Sequence, residues 1–347
     1  MLSALLLLLA EMTIKTPFQH PCLNMQRRSK SMEVQRPDTQ TEELLKRLAA
    51  RGAPAVTELT PEEARVARNP LFVELGGSPE DVAEVRDQSI PGPAGDIPIR
   101  IYTPQGSGNF PILVYFHGGG WVIGNLDTHD SLCRGLANEA SCVVVAVDYG
   151  LSPERKFPGP LEDGYEATKW VAEHAEEFRG DPTRMAVGGD SAGGNMATVV
   201  CLMARDKEGP SLIHQLLIYP AVDLLSMDTA SYRDHGEGYL LTAEGMAYYR
   251  DHYLRNEDDR KNPYASPILE KDLSRLPPAT VVTPLLDVLA DEGKAYSERL
   301  KDAGVPVTCL VYDQMIHAFL NCLGEVDMAR KAVSEMGALL KKAFEQP

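Results

Sequence analysis

The sequence predicts an α/β domain whose mostly parallel sheet is covered by helices on both faces. Three observations predict it. Six nearly continuous apolar runs, ILVYF (112–116), CVVVAVDY (142–149), MAVGG (185–189), QLLIYP (215–220), TVVTPLL (280–286) and TCLVY (308–312), have the composition of strands buried on both sides. Helix-period segments separate most of them, the alternation that parallel strands with crossover helices require. Ahead of them, VRDQSIPGPAGDIPIRIYTP alternates apolar and polar residues about a Pro/Gly-rich turn, which predicts an antiparallel hairpin.

Taken in order, residues 1–38 form a leader expected to be poorly ordered. Its MLSALLLLLAEM run is too short to span a bilayer and lacks both a positive n-region and an A-x-A cleavage site. No stable membrane insertion is expected. A cytoplasmic setting is the expectation, with export by the leucine-rich stretch as the alternative. Residues 39–84 hold two short helices. In DTQTEELLKRLAARG, Thr39 is the expected N-cap with Glu42 three residues on, Leu44, Leu45 and Leu48 form a stripe, and Gly52 is the stop. In LTPEEARVARNP, Thr60 caps, Pro61 takes the first helical position, Glu63 closes a capping box and Pro70 is the expected end. Neither helix is apolar enough to stand alone, so both are expected to lie over something else as a cap.

The main domain is predicted over 85–223 and 263–347. Its helices bury recognisable faces: Ala167, Val171, Ala175 and Phe178 in one, Met196, Val199, Val200 and Met203 in the next. Residues 224–262 interrupt the alternation as an inserted second cap segment, where Thr242 can start a helix with Met246, Tyr249 and Tyr253 on one side.

Composition narrows the function. The 44% apolar and 24% charged fractions are those of an ordinary globular protein. Asp and Glu total 50 against 34 Lys and Arg, a net charge of −16 that argues against nucleic acid and anionic membranes as partners. Six cysteines show no C-x-x-C pair, and neither they nor the eight histidines show metal-ligand spacing. No metal or cofactor is predicted, and a reducing compartment is expected.

MAVGGDSAGGN (185–195) carries the chemistry. G-x-S-x-G between a strand and a helix is a nucleophile elbow, here Gly189, Asp190, Ser191, Ala192 and Gly193. Bulk at the flanking positions would clash in so sharp a turn. The Ser191 hydroxyl then stands at a strand end, with the Ala192 amide at a helix N-terminus where it can bind an oxyanion. YFHGGGWVIG follows the first apolar strand, and its His117, Gly118, Gly119 and Gly120 form the HGGG pattern that supplies the other half of an oxyanion hole. A serine needs a base, and the base an acid to fix its tautomer. His317, past the TCLVY strand, is the expected base, with His214, His235 and His252 as alternatives. Asp287 is the expected acid, while Asp291 and Glu292 suit a helix start.

HGGGW, GDSAGG, the D-x-L-x-D-E-G stretch and a terminal H-x-F resemble the hormone-sensitive-lipase-like family of bacterial esterases, bacterial lipase family IV. Arylacetamide deacetylases are more distant relatives. The resemblance covers Thr39 to the C-terminus. It implies the α/β-hydrolase fold, a Ser191–Asp287–His317 triad, and the amides of Gly119, Gly120 and Ala192 as the oxyanion hole. It also implies an N-terminal helical cap and a homodimer through the last strand. A small-molecule ester is the expected substrate, the charge of RDHYLRNEDDR in the inserted segment points to short to medium acyl chains, and no cofactor is expected. DYGLSPE, DVLADEG and HAF depart locally from the family's DYRLAPE, DPLRDEG and HGF. An amidase or deacetylase on the same triad is the alternative, as is a non-catalytic ligand-binding relative of the plant gibberellin-receptor kind; the latter lack the histidine that His317 supplies.

Overall fold

Eight strands pair into one sheet in the order β1-β2-β4-β3-β5-β6-β7-β8, in a computed structural model that describes residues 36–345. The strands are β1 (Glu84–Gly92), β2 (Gly95–Thr103), β3 (Phe110–Phe116), β4 (Val143–Val147), β5 (Gly180–Asp190), β6 (His214–Ile218), β7 (Ala279–Leu286) and β8 (Val307–Ile316). The predicted hairpin is β1/β2, and β2 also meets β4 antiparallel; from β4 to β8 every pairing is parallel. This is the α/β-hydrolase architecture. All but the last three residues of the predicted leader lie outside the described residues.

Both faces of the central strands are buried, which explains their unbroken apolar runs. On β3 and β4, Ile112, Val114, Phe116, Val143, Val145 and Val147 belong to one apolar cluster, while Leu113, Tyr115, Val144 and Ala146 belong to the other. Helices α4 (Gly159–His174), α5 (Ala192–Asp206) and α8 (Ala290–Asp302) cover the first face with Val171, Met196 and Leu300. Helices α3 (Asp130–Ala140) and α9 (Asp327–Phe344) cover the second with Leu136, Val333 and Met336. Among the described residues, no helix is long and apolar enough to cross a membrane.

Two predicted helix boundaries are corrected. Helix α1 (Thr39–Ala50) is capped by Asp38, not Thr39: the Asp38 carboxylate accepts the Thr41 N–H at 2.8 Å. A carboxylate at this end also meets the positive end of the helix dipole. Helix α2 (Pro61–Gly76) does not end at Pro70 but runs through it. A proline inside a helix costs about 3 kcal/mol. The turn beyond it buries Leu75 completely and sends Phe72 to a cavity wall, and that burial offsets the local penalty. The Thr60–Glu63 capping box forms as predicted, with Thr60 N–H to Glu63 Oε2 at 2.9 Å and Glu63 N–H to Thr60 Oγ1 at 3.3 Å. In the 224–262 segment, helices α6 (Ala230–His235) and α7 (Ala243–Tyr253) form, Thr242 caps the second, and Met246, Tyr249 and Tyr253 are buried.

Candidate active site

Four strand ends build the site. His117 follows β3, Ser191 follows β5, Asp287 follows β7 and His317 follows β8, each by one peptide bond. Register brings the last two together, because Leu286 pairs with Ile316 and the next residue on each strand is Asp287 or His317. Phe116 pairs with Gly189, which sets the HGGG loop beside the elbow. Ligands of open parallel sheets bind outside such carboxyl ends.

The structure brings Ser191, His317 and Asp287 into one hydrogen-bonded chain. His317 Nδ1 lies 2.7 Å from Asp287 Oδ2, and His317 Nε2 lies 2.9 Å from Ser191 Oγ. An ionised carboxylate only accepts, so Nδ1 carries the proton and Nε2 presents its lone pair to the serine. Asp287 is 1% exposed, and its other oxygen accepts the Leu289 N–H at 2.9 Å. Ser191 has φ 57° and ψ −117°, a left-handed conformation that costs of order 1–3 kcal/mol in a non-glycine residue. The turn is held by Ser191 N–H to Ile218 O (2.9 Å) and by the buried Asn195, whose Nδ2 donates to Ala221 O (2.9 Å) and Ala265 O (3.0 Å). The glycines are required: a Cβ on Gly193 would overlap Phe116 O, and one on Gly189 would overlap the Gly193 carbonyl.

Gly119 (φ 117°) and Gly120 (φ 61°) line the same cavity as Ser191, and Ala192 opens α5 beside it. Asp190 ties the loop to the elbow. It accepts from the Gly118 N–H at 2.9 Å and from the Tyr115 hydroxyl at 2.8 Å. His117 braces its own loop, with Nδ1–H donating to Gly118 O at 2.7 Å and its ring stacked on Tyr149, 4.4 Å between centroids.

The other candidates serve elsewhere. Asp291 accepts the Ser231 N–H at 2.9 Å. Glu292, pushed well above the ordinary carboxyl range by burial, accepts from Val222 N–H (2.7 Å) and Asp223 N–H (3.1 Å). Both stand in the first turn of α8, as expected, and each also fastens a neighbouring loop. His214 lies inside the sheet against Thr280 (2.9 Å), and neither it nor His235 nor His252 lines the cavity. Ala318, the HAF departure, takes φ 60°. Asp287 still meets His317 despite Val288 and Ala290. Among the described residues, no group of three or more His, Cys, Asp or Glu side chains could hold a metal ion.

The cavity holds about 590 Å³, counting its open mouth. Its apolar wall comes from Phe72 of α2 and from Leu240, Leu241, Met246 and Tyr249 of the 224–262 segment. Sequence reasoning missed how these segments grip the HGGG loop. Arg65 of α2 donates to Val122 O (2.8 Å) and Ser152 O (2.8 Å) while paired with Glu154, and Asn69 accepts the Gly124 N–H at 3.0 Å. From the other side the Tyr249 ring packs on the Gly120 backbone, and Tyr253 stacks on Trp121 with centroids 4.1 Å apart. Arg65, Asn69 and Phe72 do recur at i, i+4, i+7; that spacing was the available signal.

Residues 113–321 match the family described as alpha/beta hydrolase fold. The carboxylic ester hydrolase LipN of Mycobacterium tuberculosis is 45% identical over 249 residues, which make up 70% of this chain and 66% of LipN, so the match spans just under two thirds of that relative's length. Carboxylesterase NlhH of the same organism is 38% identical over 296 residues, 83% of this chain and 92% of NlhH. A hyperthermophilic esterase from the archaeon Pyrobaculum calidifontis superposes with a TM-score of 0.84 at 40% identity, covering 88% of this chain and 98% of that one. The ester-hydrolase EH1AB1 from the metagenome of Lake Arreo gives 0.86 at 40% identity, covering 89% and 99%. With the fold, the strand-end site and relatives of this identity and coverage in agreement, the chain belongs to the hormone-sensitive-lipase-like family of α/β-hydrolase-fold carboxylesterases.

Proposed function

We propose that this chain hydrolyses short- to medium-chain acyl esters through an acyl-enzyme. Ser191 is the nucleophile, His317 the general base, Asp287 its orienting acid, and the amides of Gly119, Gly120 and Ala192 are the oxyanion donors. The observation that carries the reading is the continuous chain of hydrogen bonds from Asp287 through His317 to Ser191 on the floor of an apolar-walled cavity.

His317 Nε2 takes the Ser191 proton as Oγ attacks the ester carbonyl, and Asp287 steadies the imidazolium that forms. Negative charge then gathers on the former carbonyl oxygen, which the three amides stabilise; each such donor is worth about 10²–10³ in kcat. Collapse expels the alkoxide, which takes its proton from His317, and water repeats the sequence on the acyl-enzyme. Residues 39–84 and 224–262 act as the cap. Phe72, Leu240 and Leu241 in the cavity wall favour an acyl chain of modest length over a long one. Among the described residues, strand β8 is an edge strand paired with β7, which supports a homodimer formed along it, testable by light scattering.

The test is hydrolysis of p-nitrophenyl esters from acetate to palmitate, wild type beside Ser191→Ala, with a matched p-nitroanilide as control. Turnover peaking at short to medium chains, lost in the variant and weak on the anilide, is expected. Activity surviving in Ser191→Ala would overturn the assignment, and faster anilide cleavage would make the chain an amidase.

A further inference from the structure

We propose that His129 is a positioning residue: through Asn321 it locks the oxyanion loop at Gly118 to the segment that carries His317. The proposal rests on the reading of Gly119 and Gly120 as oxyanion donors. It adds a group to which neither the elbow nor the HGGG pattern points.

His129 ends the 3₁₀ turn Asp127–His129 and is 5% exposed. Its Nδ1 lies 2.8 Å from Thr128 Oγ1. That hydroxyl gives its own proton to Asn125 O (2.8 Å) and accepts the Asn125 N–H (3.0 Å), so it accepts from His129 Nδ1–H as well. The ring is thereby fixed in orientation on one side.

Its other nitrogen stands at a junction. Nε2 lies 3.0 Å from Asn321 Nδ2, 3.1 Å from Asp190 Oδ1 and 3.3 Å from Gly118 N. Asp190 immediately precedes Ser191, Gly118 immediately precedes the two loop glycines, and Asn321 comes four residues after His317. With the proton on Nδ1, the Nε2 lone pair accepts the Asn321 Nδ2–H and shares the Gly118 N–H with Asp190 Oδ1, so the ring bridges the base segment and the oxyanion loop, and the shared amide brings in the elbow. Asn321 ends the 3₁₀ turn Phe319–Asn321, which follows the left-handed Ala318 directly, so its position is coupled to that of His317. A histidine buried only to fill space would have no reason to accept from both of these segments at once. Loss of the link lets the amides and the base drift apart, and a displacement of about 1 Å in such a site costs up to about 10² in rate.

The experiment compares His129→Ala, Asn321→Leu and the double variant with wild type. It reads kcat and KM on p-nitrophenyl butyrate, Ki for a trifluoromethyl ketone whose serine adduct carries an oxyanion, and Tm. Each single variant is expected to lower kcat about 10- to 100-fold with KM within about threefold. Ki should rise by the factor by which kcat/KM falls, as the loss of a transition-state interaction requires. The double variant should be no worse than the more damaging single one, because both remove one link. Wild-type kcat in either folded variant, a loss confined to KM, or fully multiplicative losses would overturn the proposal. If His129→Ala fails to fold, Asn321→Leu decides alone by the same kcat and Ki criteria. An inactive wild type, or an active Ser191→Ala, would instead overturn the functional reading and this proposal with it.

Discussion

The carboxyl rim of the sheet and the segments that cover it are built on different terms. On the rim, Ser191, Asp287 and His317 are fixed by strand pairing, and each has its hydrogen-bonding partner among buried neighbours. In the cover, short helices meet the body through individual side chains such as Arg65, Phe72 and Tyr249, while Val66 and Val73 of α2 remain exposed. Register thus decides which strand-end side chains meet, and replaceable side chains in the cover shape what reaches them. The glycine loop is where the two regions meet, gripped by Asp190 from below and by Arg65, Asn69 and Tyr249 from above.

The largest effect should come from the rim. Asp287→Asn leaves the shape intact but cannot hold the right His317 tautomer, and kcat should fall about 10⁴-fold on every ester alike. Steady-state kinetics over the p-nitrophenyl series checks this; a loss that varied strongly with chain length would erase the distinction between the regions. Gly120→Ala probes the meeting point. The new Cβ would overlap the Tyr249 ring at a left-handed φ of 61°, so kcat should fall about 10- to 100-fold on all chain lengths. Tyr249→Ala alone should move the preferred acyl chain longer while kcat on butyrate stays within about fivefold. A uniform loss on every ester in Tyr249→Ala would make the cover part of the chemistry.

The smallest effect is on stability and belongs to the sheet alone. Burial in β6 pushes the His214 imidazole down to about 4 from 6.5. The unfolded chain therefore takes up the proton first. The contribution of neutral His214 is intact above pH 6.5 and is lost progressively as the pH falls toward 4, amounting to about 2 kcal/mol by pH 5. Urea unfolding at pH 7.5 and pH 5 should show a drop that His214→Gln reduces, with activity at pH 7.5 retained.

The same contrast explains what was legible in the sequence. Strands buried on both faces leave continuous apolar runs, and the elbow needs glycines that no longer side chain can replace, so the sheet, Ser191, His317 and Asp287 could be located from residues and order. Asp38 and Thr39 are both good caps, and only backbone geometry decides which side chain reaches the free amides. The end expected at Pro70 does not form because the local cost of a proline leaves out Leu75 and the burial beyond it. His129 left no trace because its partner Asn321 is 192 positions away. The i, i+4, i+7 spacing of Arg65, Asn69 and Phe72 marks a shared face but not that Arg65 meets Val122, 57 positions on. No local pattern encodes such meetings.

Placing His117, Ser191, Asp287 and His317 one peptide beyond a strand also decides which changes of chain length the molecule can absorb. Positions are counted from the sheet, so the 39 residues from 224 to 262 enter between β6 and β7 without altering the count to Asp287. That stretch is a natural seam for grafting shorter or longer segments from a relative. A one-residue deletion inside β7 or β8 is a different matter. It would turn Asp287 or His317 to the opposite face of the sheet, and no adjustment in the loops could bring it back.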